Sequence, residues 1–180
     1  TSDDELAGLV RMLLNHGGKD KYNIEHIGYN ARMDTMQAAT LLSKMSYIDE
    51  FNDRRRKIAG IYDKGLCEIS GLILPENLSP ASNRIYHQYT VRVLNGNRDE
   101  LQRSLAENGI STKVYYPAPL HKMKVFDGRS RISNSLENAE TAAKAVMSLP
   151  IGPLLTEEEA DYIIDCIKKR CAYADKRIFS

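Results

Sequence analysis

The sequence predicts an α/β chain of the α+β kind. A long spine helix leads into a small, mainly antiparallel sheet covered by helices. Three observations predict it. An apolar stripe at helical spacing runs from Met36 to Tyr62. Two short strand-like runs follow, GLILP at 71–75 and YHQYTVRVL at 86–94. Capping signals at Asn97 and Thr156 then open further helices. A free-standing ferredoxin-like module fits the same pattern, and spacing leaves both readings open.

In chain order, the first expected helix covers residues 2–15. Thr1, or Ser2 with Glu5 three residues on, supplies its cap. Leu6, Leu9, Val10, Leu13 and Leu14 share one face, and Gly17 and Gly18 stop it. So abrupt an opening on an element boundary suggests a piece of something longer. A polar loop, 17–30, follows, with Tyr22, Ile24 and Ile27 as anchors. Residues 34–66 read as one helix. Asp34 and Gln37 form a capping-box variant, the stripe runs through Leu41, Met45, Ile48, Phe51 and Ile58, and Gly65 lies near the stop. Such a helix is ~45 Å long, more than the diameter of a small domain, which suits a spine joining two bodies. The expected boundaries are 1–33, 34–66 and 67–180.

The third part begins with the GLILP strand and the loop ENLSPASN. In the next strand Tyr89, Val91 and Val93 alternate with Thr90 and Arg92. Asn97, with Glu100 at the box position, caps a helix that Gly109 ends. STKVYYPAP, 111–119, reads as a strand that must end before Pro117. GRSRISN is a polar, basic loop. A helix over 135–148 is followed by LPIGP, and Thr156 with Glu159 caps a last helix through about Lys169.

Composition narrows the function. A net charge of +1 gives no support for nucleic acid or an anionic membrane surface as partner. No apolar run approaches a membrane span. Cys67, Cys166 and Cys171 are too few for a disulfide framework and lack metal-ligand spacing, and His16, His26, His87 and His121 are scattered. No metal is expected, and the simplest setting is the reducing cytoplasm. Cys166 and Cys171 read as small apolar packing residues.

No self-contained catalytic set appears, but three stretches could carry chemistry. Asn30 and Arg32 stand directly before a helix. They read either as a loop asparagine with a solvated arginine, or as an anion site aided by the helix N-terminus. Asp34 would oppose an anion there. In VYYPAPLH, 114–121, adjacent tyrosines on a strand would face opposite ways, so at most one is core. The stretch is an edge strand with an exposed His121, or a wall of hydroxyls and an imidazole for a polyhydroxylated ligand. Arg54, Arg55 and Arg56 fan over about 200° of helix and read as a solvated face with local carboxylate partners.

GYNARMDTMQAATLLSKM, 28–45, resembles the G-x-N-x-R-[ML]-D-x-[LIM]-Q-A-A segment of nucleotide-sugar aminotransferases of the DegT/DnrJ/StrS type. The likeness continues in DDELAGLVRMLLNHG, RRRKIAGIYDKGL, YHQYTVRV, NRDELQRSLAENGISTKVYYPAPLH and SLPIGPLLTEEEADYII. It implies the C-terminal part of a fold-type-I pyridoxal phosphate enzyme. Residues 1–33 would end the large cofactor domain and form an interface loop, and 67–180 would be the small domain. The cofactor-binding lysine and the carboxylate partner of the pyridine nitrogen would lie upstream, so this stretch alone would be inactive. Asn30 matches the asparagine that reaches the cofactor phosphate of the neighbouring subunit in a homodimer. Arg32 matches a position that contacts substrate from the neighbour in enzymes acting on uronic-acid sugars. Tyr115 and Tyr116 match a pair that is often His-Tyr in that subgroup, so Tyr115 departs from it. His121 matches a frequent histidine. The implied reaction moves an amino group from glutamate or a similar donor to a nucleotide-linked keto-sugar. The alternatives are a sugar dehydratase or regulatory paralogue of the same family, and a non-enzymatic binding module.

Overall fold

The computed structural model describes residues 1–20, 22–76, 84–94, 96–129, 131 and 134–178, with side chains described as far as Cys171. The expected loop after Glu76, Asn95 of the expected turn and part of the basic GRSRISN loop lie outside the described residues. The chain divides into two compact units, Thr1–Ile48 and Asp49–Ser180.

The first unit holds helices α1 (Asp4–Leu14) and α2 (Thr35–Met45). Asp3 caps α1, its Oδ1 accepting from Leu6 N at 2.9 Å, in place of the expected Thr1 or Ser2. A carboxylate is the better acceptor for the first turn's free N–H groups and complements the helix dipole. Asp34 caps α2 as expected, accepting from Met36 N and Gln37 N. Neither helix buries a residue.

The expected 33-residue spine is two helices. α2 stops at Met45, and α3 (Ile48–Leu66) restarts after a turn in which Tyr47 N donates to Lys44 O at 3.0 Å. Ser46 followed by Asp49 and Glu50 is itself a helix-opening pattern, hidden inside the continuous apolar stripe.

The second unit contains strands β1 (Leu72–Ile73), β2 (Tyr89–Val93) and β3 (Val146–Leu149), with helices α3, α4 (Arg98–Glu107), α5 (Glu137–Ala145) and α6 (Glu157–Ile178). The sheet is antiparallel in the order β1-β2-β3, with Val91 opposite Met147 and Thr90 opposite Ser148. β2 alternates as its sequence predicts: Tyr89, Val91 and Val93 are buried, and Arg92 is exposed. Residues 146–148, expected as the end of a helix, form β3 together with Leu149. Val146 turns extended (φ −77°, ψ 144°) at the end of α5, and Ser148 meets Thr90 in a hydroxyl hydrogen bond of 2.8 Å across the strands. The expected strand at 111–119 contributes only an isolated bridge, Lys113 to Ser148. Pro117 and Pro119 supply no N–H to extend that pairing. The strand–helix–strand unit at 86–116 is therefore replaced by a sheet closed from further along the chain.

Tyr62, Leu66, Tyr89, Val91, Leu105, Met147 and Ile167 are fully buried where α3, α4 and α6 meet the sheet. Tyr62 donates to Pro150 O at 2.8 Å and Tyr89 to Asp63 Oδ1 at 2.6 Å, so neither hydroxyl is stranded. Gly65 lets α3 approach α6: a Cβ there would lie 2.5 Å from Ile164 Cδ1. Asn97 makes no side-chain cap to α4, contrary to expectation, while Gly109 (φ +75°) does end that helix. Thr156 and Glu159 form the expected reciprocal capping box of α6. Cys166 and Cys171 pack against the core.

Candidate functional site

Two clusters hold the residues that the sequence singles out, one in each unit. In the first unit, residues 29–31 run back along the end of α1. Tyr29 N and Ala31 N donate to Leu13 O and Leu14 O at 2.7 and 3.0 Å, taking up carbonyls that a helix end otherwise leaves free. Two glycines permit this fold-back. A Cβ on Gly17 would sit 1.8 Å from His26 O, and one on Gly28 would sit 2.1 Å from Gly17 N. The clasp presents Asn30 and Arg32 at the surface, both exposed. Arg32 Nε donates to Asn30 Oδ1 at 3.2 Å. That bond leaves the Asn30 amide N–H groups and the terminal guanidinium nitrogens turned to no acceptor among the described residues. Asp34, the nearest carboxylate in sequence, is spent on capping α2. The same cap occupies Met36 N and Gln37 N, so the helix N-terminus does not add the donors expected for an anion site. The side chains of Asn30 and Arg32 must supply them. As a donor set they suit a phosphate or carboxylate oxygen.

In the second unit, Tyr115, Tyr116 and His121 line one cavity of about 850 Å³. The tyrosines do not face opposite ways, because their stretch is not strand. Their rings meet edge to face, centroids 5.7 Å apart, and neither enters the core. Ala139 and Ala142 of α5 and Phe126 add apolar wall, while Arg131 and Asn134 add polar groups. His121 lies on a short 3-10 turn, Leu120–Lys122, and is not the exposed residue expected: its side chain is 11% accessible. Its Nε2 lies 2.9 Å from Oε1 of Glu140 on α5, and Lys122 Nζ lies 3.2 Å from the same oxygen. The His121 hydrogen bond, with Lys122 second, holds the Glu140 carboxyl below its ordinary range. An ionised carboxylate only accepts, so Nε2 carries the proton in this hydrogen bond. Two phenols, an imidazole and an aromatic floor can take a ring bearing hydroxyls.

Sequence reading missed Glu140 and Arg98. Buried Arg98 donates through Nη1 to Val146 O at 3.0 Å and Ala143 O at 3.4 Å. This places a cation at the C-terminal end of α5, fixing the helix that carries Glu140. Both partnerships span long sequence separations, so local pattern holds no trace of them.

A helix-covered antiparallel sheet beside a mostly apolar cavity that carries a few polar groups is a common arrangement. The class of this chain is more specific. Residues 1–168 match the DegT/DnrJ/EryC1/StrS aminotransferase family, and the chain belongs to it. The chain is 43% identical over 168 residues to the "Pleiotropic regulatory protein" of Geobacillus stearothermophilus, covering 93% of this chain and 45% of that protein. It is 39% identical over 176 residues to the "dTDP-3-amino-3,4,6-trideoxy-alpha-D-glucose transaminase" of Streptomyces venezuelae, covering 98% and 46%. The solved structure of S. venezuelae DesV in complex with a ketimine intermediate superposes with a TM-score of 0.87 at 39% identity, over 95% of this chain and 45% of that one. The chain thus spans about half the length of the relatives it matches, and the helix-and-small-sheet fold expected of such an aminotransferase part is the one found.

Proposed function

We propose that this chain is the C-terminal part of a pyridoxal phosphate-dependent aminotransferase that passes an amino group from glutamate, or a similar donor, to a nucleotide-linked keto-sugar. The observation that carries the proposal is the Asn30–Arg32 pair. Its donors are exposed, lack a carboxylate partner among the described residues, and are set by a glycine clasp in a chain of this family. Pyridoxal phosphate, when bound, supplies the electron sink for moving the amine. This chain's share is binding. Asn30 donates to the phosphate of the cofactor held by a second copy, and Arg32 steadies the anionic part of the substrate. Tyr115, Tyr116 and His121 line the place of the sugar, with Glu140 fixing the imidazole.

The exposed apolar residues of α1 and α2, among them Leu9, Val10 and Leu42, support a homodimer with shared sites, since such surface is usually covered. Residues 1–33 close the large domain in this reading, and 67–180 form the small one. Three free thiols suit a cytoplasmic setting.

In the complete protein, Asn30→Ala weakens cofactor retention, read as occupancy after dialysis. Unchanged occupancy and turnover would count against the role. A second reading, a regulatory paralogue without transamination, draws on the name of the 43% identical relative. The residue upstream at the cofactor lysine position tests this: lysine there favours the transaminase, and another residue favours a paralogue without transamination.

A further inference from the structure

A second recess in the unit 49–180, of about 300 Å³, gathers two cations, Arg55 and Lys113, that the reading above leaves unused. Arg55 of α3, His87 and Gln88 ahead of β2, Ser111, and Lys113 beside the sheet bridge line it. Among the described residues no aspartate or glutamate does. Tyr115 belongs to this recess and to the larger cavity alike.

The three consecutive arginines differ in partner. Arg54 Nη2 is 2.5 Å from Glu50 Oε1, and Arg56 pairs with Asp53. These two follow the expectation of a solvated face with local carboxylates. Arg55 does not. Half-buried, it reaches only the amide oxygen of Asn52, at a long 3.4 Å, and has no carboxylate partner among the described residues. A partly desolvated guanidinium that shares a recess with Lys113 is an arrangement of like charges, which an anion would relieve. Gln88 and Ser111 add neutral donors of the kind that complete an oxyanion's hydrogen bonds.

We propose that this recess is an anion subsite that takes the carboxylate or phosphate group of a small ligand. Arg55 is the directional anchor, with Lys113 adding charge and His87 an imidazole on the wall. The identity of the ligand rests on the proposed function, which offers two sources: a dicarboxylate amino donor and the diphosphate of a nucleotide-linked sugar. The shared wall at Tyr115 lets an anionic group in the recess belong to a ligand whose ring lies in the aromatic cavity.

The test titrates the 180-residue chain with sodium pyrophosphate and, separately, with 2-oxoglutarate at constant ionic strength, followed by backbone amide NMR shifts. At least one anion gives saturable shifts at Ser111 and Lys113. Arg55→Gln weakens that binding at least about tenfold, as loss of a charge-assisted hydrogen bond does. Lys113→Gln weakens it in the same direction, and Arg54→Gln leaves it unchanged. Saturation by pyrophosphate alone assigns the subsite to the nucleotide phosphates, and by 2-oxoglutarate alone to the donor. Saturation by both supports a general anion site. The proposal is overturned if neither anion saturates, or if Arg54→Gln weakens binding as much as Arg55→Gln in variants with native-like spectra. No cofactor or turnover enters this measurement, so its failure leaves the Asn30 test in the complete protein standing.

Discussion

Leu9, Val10 and Leu42 of the first unit stand exposed, whereas Leu66, Leu105 and Ile163 of the second are buried. The residue types are alike and the helical spacing is alike. What differs is what each face meets. In 49–180, α3, α4 and α6 close on a sheet, and every buried apolar residue described belongs to that unit. Among the described residues of 1–48 only Gly17 and Gly18 are buried. There the backbone does the organising, through the clasp that joins residues 29–31 to the end of α1. An amphipathic stripe announces that a face needs cover. It does not say whether the cover lies in the same chain.

The largest test of this contrast is a pair of truncations. Leu105→Ala, at 1% exposure, costs about 2–5 kcal/mol in a denaturation measurement, from lost transfer energy and the cavity left behind. Leu42→Ala, at 74% exposure, changes stability by less than about 0.5 kcal/mol in the same chain. Equal losses would erase the distinction between the units.

Glycines sharpen it with opposite signs. Gly65→Ala destabilises by about 1–3 kcal/mol, because its methyl would meet Ile164 at 2.5–3.1 Å. Gly8→Ala, inside α1 with nothing within 4 Å, stabilises by about 0.5–1 kcal/mol through helix propensity. Thermal shifts in the same direction would contradict the packing described.

The smallest effect is electrostatic. Glu140 is held below its ordinary value of 4.5, first by His121 and then by Lys122. A carboxylate with a depressed folded value adds stability at pH above its unfolded value, and loses it as pH falls through the folded one. The melting temperature of the wild type therefore exceeds that of Glu140→Gln near neutrality, and the gap closes as pH falls through the depressed range of the carboxyl. A gap that persists in acid would remove the ion pair as its cause.

Much of this was legible in the residues. The Asp34 cap, the Thr156–Glu159 box and the β2 alternation are local, and each shows in a few consecutive letters. The stop after Met45 was obscured because no glycine or proline marks it and the stripe runs on through Ile48. β3 reads as helix because AAKAVMSL continues an alanine-rich helix without a breaker. Only pairing with Tyr89–Arg92, more than fifty residues earlier, makes it strand. Of the candidate site, Asn30, Arg32, Tyr115, Tyr116 and His121 were visible as types and spacings. Glu140, Arg98 and the unpaired Arg55 needed three dimensions, since each is defined by partners, or by their absence, that the local order of residues does not reveal.

α5 passes into β3 with no connecting residue, from Ala145 directly to Val146. The rotational setting of the helix is thereby geared to the register of the sheet. One inserted residue at that junction, with the strand kept in register, would turn α5 by about 100° and swing Glu140 off His121. The floor of the aromatic cavity would rotate with it. A seam this tight explains how a three-stranded sheet can dictate the placement of an imidazole through the carboxylate that holds it.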